Sequence, residues 1–169
     1  AIAPVRIIAK KEIASWPIMG RGFKIYDTLL IDRSSMSSRI KNLREIENVI
    51  NNGHSMVIYP EGTTHKGPEI GKLKPATFSI AAKNNFTIQL IAIEYKNPDD
   101  AWVGKDLFVP HFIRRSGAFV RKVGVSISNP ITGTDEKELV ENAHEWYTNE
   151  IQKIRQHFDG KTKNMESNK

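Results

Sequence analysis

Two short stretches hold the residues best placed to do chemistry: LLIDR at Leu29–Arg33 and YPEGTTHKG at Tyr59–Gly67. Each follows the same plan, an apolar run that delivers charged groups to its end. The Arg33 guanidinium can fork two hydrogen bonds onto a phosphate or a carboxylate. Pro60 cannot donate to a strand ladder and Gly62 permits a sharp turn, so Glu61 is left where a strand stops. There its carboxylate can accept hydrogen bonds from a polyol or hold a basic side chain. The backbone N–H groups of the following turn, with the Thr63 and Thr64 hydroxyls, can cradle an anion. Lys10, Lys11, Lys66, Lys72 and Lys74 can bring positive charge to the same edge. Taken singly, these residues have plainer explanations: Asp32 and Arg33 capping the next helix, Glu61 pairing with a surface lysine, His65 exposed in a loop. Together and in this order they point to a binding site.

The elements that must position these groups alternate along the chain. Residues 5–9 and 27–31 read as short strands, and the intervening SWPIMGRGFK is broken by Pro17, Gly20 and Gly22. Over 35–52, Ile40, Leu43, Ile46 and Ile50 share one helical face, and NNG stops the helix. A strand is predicted over 55–59, a helix near 75–84, a buried strand over 86–95, and further strands over 105–109 and 118–128. The spacing of Leu139, Ala143, Tyr147, Ile151, Ile154 and Phe158 predicts a long amphipathic helix over 135–158, with TDEKE as its capped, acidic start. Trp146 sits beside that stripe as a core residue. There is no internal repeat and no linker. The expected fold is therefore α/β, a single-domain sandwich with a mostly parallel or mixed central sheet flanked by helices, over residues 1–159. The polar remainder, 160–169, is expected to be a disordered tail. In such sheets ligands bind at the carboxyl ends of the strands, where Asp32, Arg33 and Glu61 fall.

Composition narrows the partners. The 169 residues carry 25 Lys and Arg against 19 Asp and Glu, a net charge of +6, which suits phosphorylated metabolites, acidic lipid headgroups or nucleic acid. The aromatic residues mostly occupy core positions and no nucleic-acid motif occurs, so a nucleic acid partner is not expected. Cysteine is absent, which excludes disulfide and thiolate chemistry. No apolar run approaches the ~18 residues that would span a bilayer as a helix.

In order, AKKEIASWPIMGRGF, TLLIDR, YPEGT and IQLIAIEY resemble blocks two to four of the glycerophospholipid acyltransferase family, which includes the 1-acylglycerol-3-phosphate acyltransferases. The resemblance runs from about Val5 to Ile131, and AWVGKDLFVPHF is similar to bacterial members. It implies acyl transfer from acyl-CoA or an acyl carrier protein to the free hydroxyl of a lysophospholipid or glycerol phosphate. The donor is a substrate; no cofactor and no metal are implied. By position, Arg33 would bind the acceptor phosphate with Lys11 as a second candidate. Glu61 and Gly62 would shape the glycerol pocket, with Thr63 and Lys66 beside them. The family works at the cytoplasmic face of a membrane, which suggests peripheral association with acidic lipid.

The pattern departs from the family at its catalytic block, HxxxxD, in which a histidine acts as general base and an aspartate orients it. Five residues after His54, His65, His111, His144 and His157 stand Tyr59, Ile70, Ser116, Asn149 and Thr162. No catalytic residue is thereby identified, and His65 is the candidate substitute base. The expectation is a fragment, inactive alone, of an acyltransferase whose HxxxxD segment lies upstream. The alternative is a non-catalytic relative that binds phospholipid or an acyl carrier. Thr64 in place of a common arginine, Asp27 in place of a glycine and Leu90 in place of a proline bear on substrate identity.

Overall fold

The computed structural model describes residues 5–11, 14, 22, 28–32, 34–63, 68–101, 110, 117 and 120–166. They belong to two compact units, Ala1–Pro60 and Glu61–Lys169, considered in turn. The strand expected over 105–109, along with Arg33, Thr64, His65 and Lys66, lies outside the described residues.

In the first unit, β1 (Val5–Lys10) is the middle strand of a parallel sheet of order β2-β1-β3, with β2 at Leu29–Ile31 and β3 at Ser55–Val57. Ile8 lies opposite Leu29 and Val5 opposite Ser55. Strands running the same way need a crossover, and α1 (Met36–Asn51) supplies it between β2 and β3. Ser35 caps α1 by accepting the Ser38 N–H at 3.1 Å. The predicted stop holds too, as Gly53 takes φ +81° and its N–H bonds the Ile50 carbonyl at 2.9 Å. Of the expected apolar face of α1, Ile46 is buried whereas Ile40 stays 48% exposed. Three-residue strands offer a 16-residue helix too little surface to cover its whole stripe.

The second unit holds α2 (Ala76–Asn84), β4 (Ile91–Tyr95), β5 (Val123–Ile127) and the long α3 (Glu136–Glu166). Its core gathers Leu73, Phe78, Ala82, Leu90, Leu139 and Ala143, with Ile70, Ile88, Ile131, Val140, Trp146 and Tyr147 around them. Burying each large aliphatic or aromatic side chain of that set contributes ~1.5–3 kcal/mol. Asp135 caps α3 by accepting from the N–H groups of Lys137 and Glu138 at 2.7 and 3.2 Å. Asn85 ends α2 in the left-handed region, φ +52°, and the Phe86 N–H returns to the Ala81 carbonyl. The helical backbone of α3 continues to Glu166, into the stretch expected to be a disordered tail. Lys, Met and Glu propagate a helix that is already nucleated.

β4 and β5 pair antiparallel, with Ala92 opposite Ser126 and Glu94 opposite Gly124. Those four residues share the face on which α3 docks. The Ser126 hydroxyl donates to Glu150 Oε2 at 2.6 Å, and a methyl group at Gly124 would overlap Ile154 and come within 3.2 Å of Phe158. Ile91, Ile93, Val123, Val125 and Ile127 project to the opposite face and are 44–61% exposed. The expectation of a buried strand over 86–95 is therefore corrected: β4 is shorter and covered on one face, because an antiparallel pair packed against one helix has a single inner side. Beyond the pair, Ile88 and Ile131 exchange both backbone hydrogen bonds at 2.8 Å, and the Ser128 hydroxyl accepts the Leu90 N–H.

Gly124→Ala should lower stability by ~1–3 kcal/mol, because Ile154 must shift away from the ribbon. Urea unfolding monitored by circular dichroism measures this; an unchanged midpoint would mean that α3 does not rest on that spot.

Candidate functional site

The carboxyl ends of β1 and β2 bring two of the singled-out residues together. Lys11 follows β1 and is exposed, and Asp32 follows β2. Asp32 folds back on the chain: its Oδ1 accepts the Ser34 N–H at 2.8 Å, and its carbonyl accepts from Asn42 Nδ2 at 2.6 Å. The hydrogen bonds from Ser34 hold the Asp32 carboxyl below its ordinary range, and the Lys11 charge pulls the same way against partial burial. Asp32 thus shapes the turn into α1, although Ser35 is the residue that caps it. An exposed ammonium beside an occupied carboxylate makes an edge suited to an anion. Arg33, the residue expected to grip phosphate, lies outside the described residues.

Glu61 opens the second unit and is half-buried. Its Oε2 accepts the Gly71 N–H at 3.1 Å, which ties the start of the 61–74 segment to its later part. A carboxylate that keeps one oxygen on a backbone amide has a fixed orientation, and Oε1 can still accept from a hydroxyl. Gly62 has φ +68°, and a Cβ there would overlap the Lys74 ammonium. That flexible chain can swing away, so the glycine is required by its backbone conformation more than by space. Thr63, Lys72 and Lys74 are exposed. Lys66 and His65 lie outside the described residues.

Three residues around this segment were not among the expected site residues, although Tyr147 belonged to the apolar stripe of the last helix. The Tyr147 phenol on α3 is pushed above its usual range chiefly by burial; the Ile91 backbone opposes the shift and the Glu61 charge adds to it. On the same helix, Arg155 donates from Nε and Nη2 to Glu94 Oε2 at 3.0 and 2.7 Å, and from Nη1 to the Pro68 carbonyl. A faint signal existed for Glu94 and Arg155. Glu94 alternates with Ala92 on β4, and Arg155 directly follows Ile154 in the apolar stripe. A groove between the 70–73 segment and α3, about 730 Å³, is floored by Ile70, Leu73 and Val140 and rimmed by Lys72, Glu141 and His144. Among the described residues no three His, Asp or Glu side chains gather as a metal site. Nor is any described helix long and apolar enough to cross a membrane.

The protein family described as Acyltransferase matches residues 2–94. The lyso-ornithine lipid O-acyltransferase of Pseudomonas aeruginosa is 30% identical over 152 residues, covering 86% of this chain and 58% of that protein. A protein of the same name from Brucella abortus is 28% identical, covering 82% and 58%. The 1-acyl-sn-glycerol-3-phosphate acyltransferase of Neisseria gonorrhoeae is 28% identical over 95 residues, covering 56% of this chain and 37% of that protein. The chain thus spans little more than half the length of the first two. Among solved structures, the 1-acyl-sn-glycerophosphate acyltransferase PlsC of Thermotoga maritima has a TM-score of 0.63 at 19% identity, over 90% of this chain and 58% of that one, a likeness of fold.

Two outcomes test the geometry. Gly62→Ala should cost ~1–2 kcal/mol in urea unfolding because of its left-handed backbone, and Gly62→Asn should cost less. The folded carboxyl of Asp32 is held below its ordinary value of 3.8, so its contribution is present above that pH and lost as pH falls through the folded value. Asp32→Asn should therefore flatten the acid side of the stability profile and leave its slope above pH ~5 unchanged.

Proposed function

Because the chain belongs to the acyltransferase family, we propose that it serves the transfer of a fatty acyl group from acyl-CoA or an acyl carrier protein to the free hydroxyl of a lyso-lipid. The observation that carries this reading is the family match over residues 2–94, which includes both strand ends first singled out, LLIDR and YPEGT. In the reaction the acceptor hydroxyl oxygen attacks the thioester carbonyl as a base takes its proton. The carbon–sulfur bond then breaks and the thiol leaves with a proton.

The residues of this chain act on the acceptor. Lys11 and Arg33 supply positive charge for an anionic headgroup, and the Glu61 carboxylate, steadied by the Gly71 N–H, accepts from an acceptor hydroxyl. Gly62 and Thr63 shape that turn, and Lys66 is a further cationic partner. The general base is assigned to a His–Asp pair outside these 169 residues, because no histidine here has an aspartate five residues on. General-base assistance contributes ~10²–10⁴-fold, so the chain alone binds acceptor with little turnover. The relatives' names favour two acceptors, a lyso-ornithine lipid and 1-acylglycerol 3-phosphate. The net charge of +6 favours work at the cytoplasmic face of an acidic membrane.

The test pairs binding with turnover. Hexanoyl lysophosphatidate and a short-chain lyso-ornithine lipid are titrated calorimetrically into wild type and Glu61→Gln, which keeps an oxygen for Gly71 but loses the charge. Thiol release from acyl-CoA is followed alongside; a chain without cysteine adds no background. One of the two lipids should bind, about tenfold more weakly in the variant, by the ~1.4 kcal/mol a charged hydrogen bond supplies. Thiol release should be negligible. Binding of neither lipid would overturn the acceptor role, and rapid acceptor-dependent release would place the base within this chain.

A further inference from the structure

The segment that presents Glu61 is held at two points. At one, the Gly71 N–H donates to Glu61 Oε2. At the other, three residues earlier, the Pro68 carbonyl accepts from Arg155 Nη1. The same guanidinium gives Nε and Nη2 to Glu94 Oε2, at the end of β4. One planar group therefore joins three parts of the unit: α3, the carboxyl-terminal part of β4 and the stretch around Pro68. A guanidinium can do this because its donors diverge in a fixed plane, which a single ammonium does not offer. The pair is partly shielded, with the Glu94 side chain 18% and the Arg155 side chain 36% exposed. Partial shielding lets such contacts exceed an ordinary surface ion pair.

Arg155 lies 61 residues beyond the end of the family match at 94, and Pro68 and Glu94 lie within it. Earlier on α3, Val140 and His144 line a groove with Ile70, Lys72 and Leu73 of the same segment. The long helix thus meets the later part of the segment at more than one place.

We infer that Arg155 is a positioning residue for acceptor binding: by clamping the Pro68 carbonyl to Glu94 it fixes the segment that aims the Glu61 carboxylate. The inference rests on Glu61 serving the acceptor. It extends the working part of the chain past the family match to the middle of α3. Loss of the clamp leaves the core set of Leu73, Phe78, Leu90 and Leu139 in place and frees the Pro68–Gly71 stretch. Binding and clamping are reciprocal, so acceptor bound at Glu61 also tightens α3 against the segment.

Arg155→Ala and Arg155→Lys in the 169-residue chain separate this role from plain stability. Lysine can keep the attraction to Glu94 but cannot span Glu94 and Pro68 together. Amide hydrogen exchange at Gly71 reports the segment; exchange along β4, β5 and α3 reports the fold. Hexanoyl lysophosphatidate and a short-chain lyso-ornithine lipid report the site, the one that wild type binds being used for the comparison. Both variants should speed exchange at Gly71 while β4 and β5 keep their protection. Both should weaken lipid binding about two- to thirtyfold, the range for residues that act through a network. Unchanged exchange at Gly71, or faster exchange spread evenly over β4, β5 and α3, overturns the clamp. A loosened Gly71 with unchanged affinity overturns the positioning role alone, as does full restoration of affinity by lysine. A wild-type chain that binds neither lipid overturns the acceptor reading as well.

Discussion

The close approach of α3 to the β4–β5 ribbon depends on side chains that are small or missing. Gly124 gives its place to Ile154, and Ala92 beside it is almost wholly buried. At this separation the polar groups between helix and ribbon come into hydrogen-bonding reach. Ser126 meets Glu150, whose carboxyl is held below its usual range first by Lys153 and then by that serine, and Glu94 meets Arg155. A larger residue at 124 would lift the helix by a fraction of a side chain, and contacts that need 3 Å would lapse first. Directional contacts here depend on an apolar close fit.

Glu61 and Gly71 are joined by a directional contact as well. β3 ends at Val57, short of Pro60; Gly62 then turns the chain through a left-handed conformation, and the Glu61 carboxylate accepts from the Gly71 backbone amide. The Glu61 charge is thus held in a definite direction. Asp32 at the end of β2 shows the same economy: its carboxylate orders the turn into α1, and the Lys11 charge lies near it. In both places an acidic side chain organises backbone, which is what leaves neighbouring cations exposed to anions from solution.

What the sequence made legible was local. Gly53 after the first helix and Asp135 before the last are capping signals whose physics acts within four residues, and both act as read, whereas the cap expected at Asp32 or Arg33 falls to Ser35. The strand-end motifs were also legible, because their order along the chain resembles one family. The inner face of the ribbon was not. Its inward positions carry Gly124, Ser126 and Glu94 while its aliphatic residues face outward, so the usual inference from hydrophobicity to burial runs backwards there. The contact of Arg155 with Glu94 spans 61 positions, and no periodicity within either element names the partner. The left-handed end of the second helix was equally hidden, since Asn85 fills a role more often given to glycine.

The five aliphatic side chains on the outer face of β4 and β5 give the molecule a second kind of surface beside its charged strand ends. The two respond oppositely to dissolved ions. Added salt screens a lysine or arginine from an anion beyond about 10 Å at 0.1 M, whereas sulfate or phosphate strengthens the tendency of exposed hydrocarbon to leave water. Ionic composition is therefore a selector: dilute chloride favours what the cations attract, and concentrated sulfate favours whatever covers the ribbon.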